Sequence, residues 1–110
     1  MTLSRKSIDQ TVSPFYDEWS ALSQEVKSCF DHEASDCHTL IAQGGELYEA
    51  LKEALYGLFG NSAPSPLNES ERLEFVRSSR SAHAASRQLA QLFEELKKKI
   101  ARTKIGYPAE

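Results

Sequence analysis

Cysteine and histidine side chains that lie close together are the first candidates for chemistry in this sequence. Cys29 and His32 are followed by Cys37 and His38, and zinc prefers such ligands in a tetrahedron at about 2.0–2.3 Å. If the segment is one helix, Cys29 and Cys37 are about 12 Å apart, and Cys37 and His38 point about 100° apart. Only a tight turn could then bring Cys29, His32 and Cys37 to one metal. We therefore expect small apolar cysteines on a core face, with no metal and no disulfide.

His83 is the second candidate, in the segment from Arg80 to Arg87. The segment resembles the histidine phosphotransfer domains, which present one exposed histidine on a bundle helix with a nearby cation for the phosphoryl group. Those domains typically follow their histidine with a Lys-Gly pair, whereas Ala85, Ser86 and Arg87 stand here. Phosphotransfer by His83 is therefore the alternative function, beside a histidine at the edge of an ordinary helix face.

No other pattern in the sequence indicates catalysis. Gly44 and Gly45 lack the lysine and the hydroxyl residue of a phosphate-binding loop. The basic residues 97–104 favour a solvated helix end that complements the helix dipole, and they lack the interleaved aromatics of a nucleic-acid surface. We expect no enzyme, no catalytic residue, no cofactor and no nucleic-acid partner.

Length and composition limit the fold. The chain has 110 residues, 40% of them hydrophobic and 26% charged, which fits one globular domain over residues 1–110. Valine and isoleucine are sparse, so a β-sandwich is not expected. Rossmann domains and TIM barrels need more chain. The sequence shows no signal peptide and no membrane-spanning run, and its two cysteines suit a reducing compartment, so we expect a cytoplasmic protein.

Charge is divided unevenly along the chain. Residues 1–61 carry ten acidic and four basic side chains, a net of −6, and residues 62–110 carry six acidic and nine basic ones, a net of +3. Such asymmetry can indicate a nucleic-acid surface. We favour the simpler explanation that acidic and basic helices of the same molecule pack against each other.

Helical periodicity dominates the front half. Residues 1–12 are expected to form a loose or weakly helical lead-in, and Ser13 with Pro14 a helix start. Apolar residues then recur every three or four positions, which predicts one buried helix face. One straight helix to Phe59 would be about 69 Å long, so we expect the chain to fold back at 31–36, with Ser35 or Asp36 as the next cap. A bend at Gly44 and Gly45 is the alternative. The predicted inward residues are Phe15, Trp19, Leu22, Val26, Cys29, Phe30, Ala34, Cys37, Ile41, Tyr48, Leu51, Leu55, Leu58 and Phe59.

The back half is predicted to hold a linker and one long helix. Gly60 ends the front helices, and two prolines make residues 60–68 a linker. Asn68 and Glu71 resemble a capping box, and the last helix is expected from about residue 69 to about residue 104. Small residues in the middle of its apolar face permit a bulky neighbour to approach, either from the first helix (Trp19, Phe30) or from another chain. The sequence thus predicts an all-α, antiparallel bundle of three to four helices.

Three segments resemble the flagellar export chaperones of the FliT type, which are small cytosolic helical proteins of bacteria. Residues 15–24 are similar to the opening helix of that family, residues 47–51 to its second helix, and residues 66–71 to the start of its third. The resemblance implies binding to the helix of an export substrate, regulation of another protein, and no catalysis.

Amphipathic helices with few elements to cover them favour a binding protein. We expect a non-enzymatic protein that holds an amphipathic helix of another protein in an apolar groove, as a chaperone, antitoxin, immunity protein or inhibitor. A homodimer is an open alternative. The predicted contact residues lie on the last helix: Phe75, Leu89, Phe93, Leu96 and Ile100.

Overall fold

A computed structural model describes residues 3–32 and 36–109 of the chain. They form four α-helices: α1 (Arg5–Asp31), α2 (Cys37–Phe59), α3 (Glu69–Ser78) and α4 (Ala82–Lys104). A short 3₁₀ turn, Gly60–Ser62, follows α2. The helices run up, down, up and down, so α2 and α4 point the same way. The predicted all-α bundle of three to four helices is confirmed.

The first helix begins earlier than predicted. Ser4 is its N-cap: the Ser4 hydroxyl accepts a hydrogen bond from the Ser7 amide, and the Ser4 amide donates one to the Ser7 hydroxyl. The lead-in is therefore helical from Arg5 onward, the second of its two expected forms, and the predicted start at Ser13 is wrong. Pro14 lies inside α1, where it removes one amide from the hydrogen-bond ladder. Burial of Ile8 favours the longer helix over a start at the proline.

The chain turns back between α1 and α2, as predicted. Asp36 is the N-cap of α2, although its carboxylate accepts a hydrogen bond from the Thr39 hydroxyl (2.5 Å) and none from a backbone amide. Ser35, the other predicted cap, lies outside the described residues. The helix α2 is continuous through Gly44 and Gly45, so the chain folds back before α2 and not at these glycines.

A disulfide joins Cys29 at the end of α1 to Cys37 at the start of α2. The expectation of two separate thiols is therefore wrong. It rested on the length of a continuous helix, whereas the turn brings the two Cα atoms to 5.8 Å, within the usual range for a disulfide.

The linker after α2 is confirmed as free of α-helix. Gly60 has a φ of +60°, a left-handed conformation that glycine adopts without a steric penalty. Asn68 is also left-handed, with a φ of 57°, and its side chain makes no capping hydrogen bond. The predicted capping box of Asn68 and Glu71 is therefore wrong.

The back half contains two helices, and the predicted single helix is wrong. The chain leaves the helical path at Ser79 and resumes it at Ala82. Ser81 accepts a hydrogen bond from the Ala84 amide (3.1 Å) and donates its own amide to the Ser79 hydroxyl (3.2 Å). These serine bonds offer the backbone an alternative to the helical ladder and give α4 its own cap.

Aromatic rings meet at the centre of the core around Phe93. Trp19 stacks on Phe93 at a centroid distance of 4.2 Å, and Tyr48 and Tyr16 approach its ring edge-on at 5.1 and 5.8 Å. The Tyr48 hydroxyl donates to Glu69 of α3 (2.5 Å), and the Tyr16 hydroxyl donates to the Phe93 carbonyl (2.8 Å). Burial raises the pKa of both tyrosines, so both hydroxyls stay protonated as donors.

Among the described residues, two ion pairs join an acid of residues 1–61 to a base of residues 62–110, as the charge division predicts: Asp9 with Lys104, and Glu49 with Arg77. A third pair, Lys52 with Glu69, joins the two parts in the opposite sense.

Arg72 joins the two helices of the back half. Its guanidinium donates to both carboxylate oxygens of Glu95 (2.9 and 2.5 Å) and to the side-chain oxygen of Gln88 (2.9 Å). The hydrogen bonds from Arg72 hold the pKa of the Glu95 carboxyl below its usual value. This bidentate ion pair holds α3 against α4.

Gly44 is the point at which α2 approaches its neighbours most closely among the glycines. A Cβ atom at Gly44 would lie 2.7 Å from Cδ2 of Leu89 and 3.0 Å from Cζ3 of Trp19. A Cβ atom at Gly45 would meet nothing within 4 Å.

We expect Gly44→Ala to lower the free energy of unfolding by about 1–2 kcal/mol, because overpacking a core costs about 1–3 kcal/mol and exceeds the gain in helix propensity. Gly45→Ala is the matched control and should raise it by about 0.5–1 kcal/mol. Urea denaturation of both variants measures the difference. Equal stabilisation by the two alanines would contradict the close approach at Gly44.

Candidate functional site

Most of the contact residues that the sequence predicts lie in the core. Leu89, Phe93, Leu96 and Ile100 are buried against α1 and α2, so they cannot meet a partner in this conformation. That part of the prediction is corrected: the apolar face of α4 is covered by the chain's own helices. Phe75 on α3 remains 43% exposed.

The disulfide takes both cysteines out of the metal site that the sequence raises for Cys29, His32 and Cys37. The sulfur atoms of Cys29 and Cys37 are bonded to each other and are not thiolate ligands in this form. The ring nitrogen Nδ1 of His32 lies 2.8 Å from the Ser28 carbonyl. Within residues 3–32 and 36–109, no three histidine, cysteine or acidic side chains are grouped to hold a metal ion.

His83 lies at the start of α4, where it is exposed. Its ring stacks on Phe30 at a centroid distance of 4.0 Å and an interplanar angle of 16°. The expectation of a histidine within one long helix is corrected, because α4 begins at Ala82. Phosphotransfer by His83 stays a prediction.

The sequence leaves open whether the first helix or another chain packs beside the small residues of α4. In the structure, aromatic side chains of α1 lie there. Trp19 and Phe30 of α1 and Ser86 and Ala90 of α4 line one depression between these helices, of about 340 Å³. The chain's own rings therefore lie beside these small residues, with the depression left open between them.

A second groove lies between α2 and α3 and has a volume of about 460 Å³. Its floor is apolar: Ile41 and Val76 are 2% and 5% exposed, and Ala42 and Gly45 continue the floor along α2. Its polar rim consists of His38, Glu46, Glu49 and Arg77. Apart from its chain neighbours and the backbone of its own helix, nothing lies within 4 Å of the Cβ position of Gly45, so α2 borders open space there.

The early end of α3 leaves this groove open. The helix α3 has 10 residues and α2 has 23, so α3 can cover less than half of α2 at 1.5 Å per residue. Val76 and Arg77 belong to its last turn, after which the chain departs through Ser79 toward α4. His38 and Ala42 on α2 remain exposed.

Two acidic side chains, Glu46 and Glu49, line the groove, and further acidic side chains are exposed on the same two helices. Glu46, Glu49 and Glu53 are exposed along one side of α2, and Glu71 and Glu74 are exposed on α3. Arg77 pairs with Glu49 and lies 3.8 Å from Glu74. Among the residues that the structure describes, Glu46 and Glu53 are in no ion pair. Glu46 in the rim, and Glu53 further along α2, therefore carry negative charge that no ion pair of the described residues neutralises.

Residues 3–32 and 36–109 form an all-α fold of four helices with an open, acid-rimmed surface groove. A family model described as YpoC-like protein matches residues 9–107, and the chain belongs to the YpoC-like family. No curated protein and no solved structure matches the chain. The resemblance to the FliT-type chaperones is tested by none of these comparisons and stays a prediction.

In the part of the chain that the structure describes, no helix combines the length and the apolar character needed to cross a membrane.

Proposed function

We propose that this chain is a non-enzymatic protein that binds another protein in the groove between α2 and α3, in a chaperone-like or regulatory role. The observation that carries the proposal is the open apolar floor of Ile41, Ala42, Gly45 and Val76, bordered by polar side chains. Concave apolar surfaces with a polar rim are the usual form of binding sites.

The dimensions of the groove favour a helix as the bound element. Its lining on α2 runs from His38 to Glu49, about 16 Å at 1.5 Å per residue. That length matches about three turns of a partner helix. Small residues at Ala42 and Gly45 permit the close approach that an apolar side chain needs when a helix lies in a groove.

The proposal includes the cytoplasmic location that the sequence predicts. A reducing cytoplasm keeps most thiols reduced, so the bond between Cys29 and Cys37 would be open in part of the protein there. Most of the groove lies away from that bond: His38 is next to Cys37, and the other lining residues lie on α2 from Ile41 onward and on α3.

Two glycines of α2 supply a matched test. Gly45 lies in the groove and Gly57 lies outside its lining, and a Cβ atom at either position meets nothing within 4 Å. Gly45→Met should fill the groove and abolish capture of the bound protein from an extract of the source cells. Gly57→Met should leave that capture unchanged.

Thermal unfolding of both variants checks that neither methionine damages the fold. Since helix propensity improves in both, both should unfold at or above the wild-type temperature. Undiminished capture by the folded Gly45→Met protein would show that the groove does not bind the partner. Loss of a second copy of this chain, and of no other protein, would identify the groove as a dimer interface.

A further inference from the structure

We propose that the occupant of the groove between α2 and α3 is a basic amphipathic helix of a partner protein. This inference rests on the proposed function and names the chemistry of the ligand. Two observations support it together. The apolar floor favours a ligand with apolar side chains, and the acidic rim favours lysine or arginine beside those side chains.

The charge of the rim follows from its residues. Glu46 lines the groove, and Glu53 follows seven residues later on the same exposed side of α2. Glu74 is exposed on α3 outside the lining and lies 3.8 Å from Arg77. Arg77 is the arginine of the lining, and it is already paired with Glu49. A partner with basic side chains at these points gains attraction at the rim, while an acidic partner meets like charge, so the rim selects by sign.

The spacing of the acids matches that of a helix lying alongside. Glu46, Glu49 and Glu53 are three and four residues apart and therefore lie on one side of α2. A helix in the groove can place lysine or arginine at the same three- and four-residue spacing, on the border of its own apolar face. The ligand is thus expected to have apolar anchors toward Ile41 and Gly45, and basic residues on the sides.

The basic end of this chain's own α4 is a poor occupant. Lys97, Lys98 and Arg102 are exposed, but the apolar residues beside them, Leu96 and Ile100, are buried in the core. A second copy could therefore offer the charge without the apolar anchors. A helix that fits this groove must carry basic residues and exposed apolar residues together.

The test is selection from a displayed library of three-turn helical peptides, randomised at apolar and polar positions. Wild-type protein should enrich peptides that carry an excess of lysine and arginine beside apolar anchors. The synthetic peptide most enriched should then bind the double variant Glu46→Lys/Glu53→Lys at least tenfold more weakly. The matched control is Glu18→Lys/Glu25→Lys on α1, which makes the same charge change at the same spacing on exposed residues and should bind like the wild type.

The outcomes separate this inference from the proposed function. Enrichment of neutral or acidic peptides that Gly45→Met no longer binds would keep the groove as a binding site and overturn its preference for a basic ligand. Equal weakening by both double variants would also overturn it, because the attraction would then come from overall charge. Absence of any peptide sensitive to Gly45→Met would overturn both the inference and the proposed function. Thermal unfolding of each variant confirms that it is folded.

Discussion

Replacing Phe93 by alanine should lower the free energy of unfolding by about 3–5 kcal/mol, as is typical for truncation of a buried phenylalanine. Phe93 is 1% exposed, and its ring contacts Trp19, Tyr48 and Tyr16 from three directions. The two tyrosines are held in place by hydrogen bonds of their own. The neighbouring rings therefore cannot collapse freely into the space that alanine leaves, and the cavity adds to the lost burial.

Urea denaturation followed by circular dichroism measures this loss. Phe75→Ala is the matched control, because it makes the same truncation at a ring that is 43% exposed, and it should cost less than about 1.5 kcal/mol, in proportion to the smaller area that it returns to water. A Phe93→Leu variant should lie between alanine and wild type, since leucine refills part of the cavity. Similar losses for Phe93→Ala and Phe75→Ala would contradict the arrangement of rings around Phe93.

The apolar face of α4 shows what periodicity can and cannot establish. The three- and four-residue spacing of Leu89, Phe93, Leu96 and Ile100 correctly predicts that one side of the helix is buried. It carries no information on which molecule covers that side. The contact residues were therefore predicted on a surface that α1 and α2 already occupy.

Helix ends were harder to predict than helix faces because several capping signals compete. Ser13 with Pro14 is a good local start, yet α1 begins after Ser4 because Ile8 gains complete burial from the longer helix. The opposite error occurred at Ser79–Ser81, where the periodicity continued but serine hydrogen bonds ended one helix and began another. In both places the helix end is decided by the balance between side-chain burial and local hydrogen bonds. The sequence pattern alone does not show which of the two is larger.

The groove could not be predicted because its lining comes from separate segments. Ala42 and Gly45 on α2 line one groove with Val76 and Arg77 on α3, and the early end of α3 leaves that groove open. The sequence did contain a signal, since Ala42, Gly45 and Glu46 place small and acidic residues beside the buried Ile41. Without knowledge of the turn after α3, these residues cannot be recognised as part of a groove.

Opening the disulfide should lower the free energy of unfolding by about 2–3 kcal/mol. Cys29 and Cys37 are eight residues apart, and closing a loop of this size removes somewhat less unfolded-chain entropy than the roughly 3 kcal/mol expected for a 15-residue loop. The double variant Cys29→Ser/Cys37→Ser should show this loss by urea denaturation under non-reducing conditions. Its helical content should stay close to that of the wild type, because the core around Phe93 lies away from the turn.

Reduction supplies an independent measurement of the same bond. Excess dithiothreitol should lower the unfolding temperature of the wild type toward that of the double variant, and it should leave the double variant unchanged. A wild type that does not respond to the reductant, while its thiols react fully with an alkylating agent, would show that the bond contributes no stability. Cys37 is buried and begins α2. We therefore expect reduction to loosen the native structure mainly at the turn, so that the amide hydrogens of the first residues of α2 exchange faster.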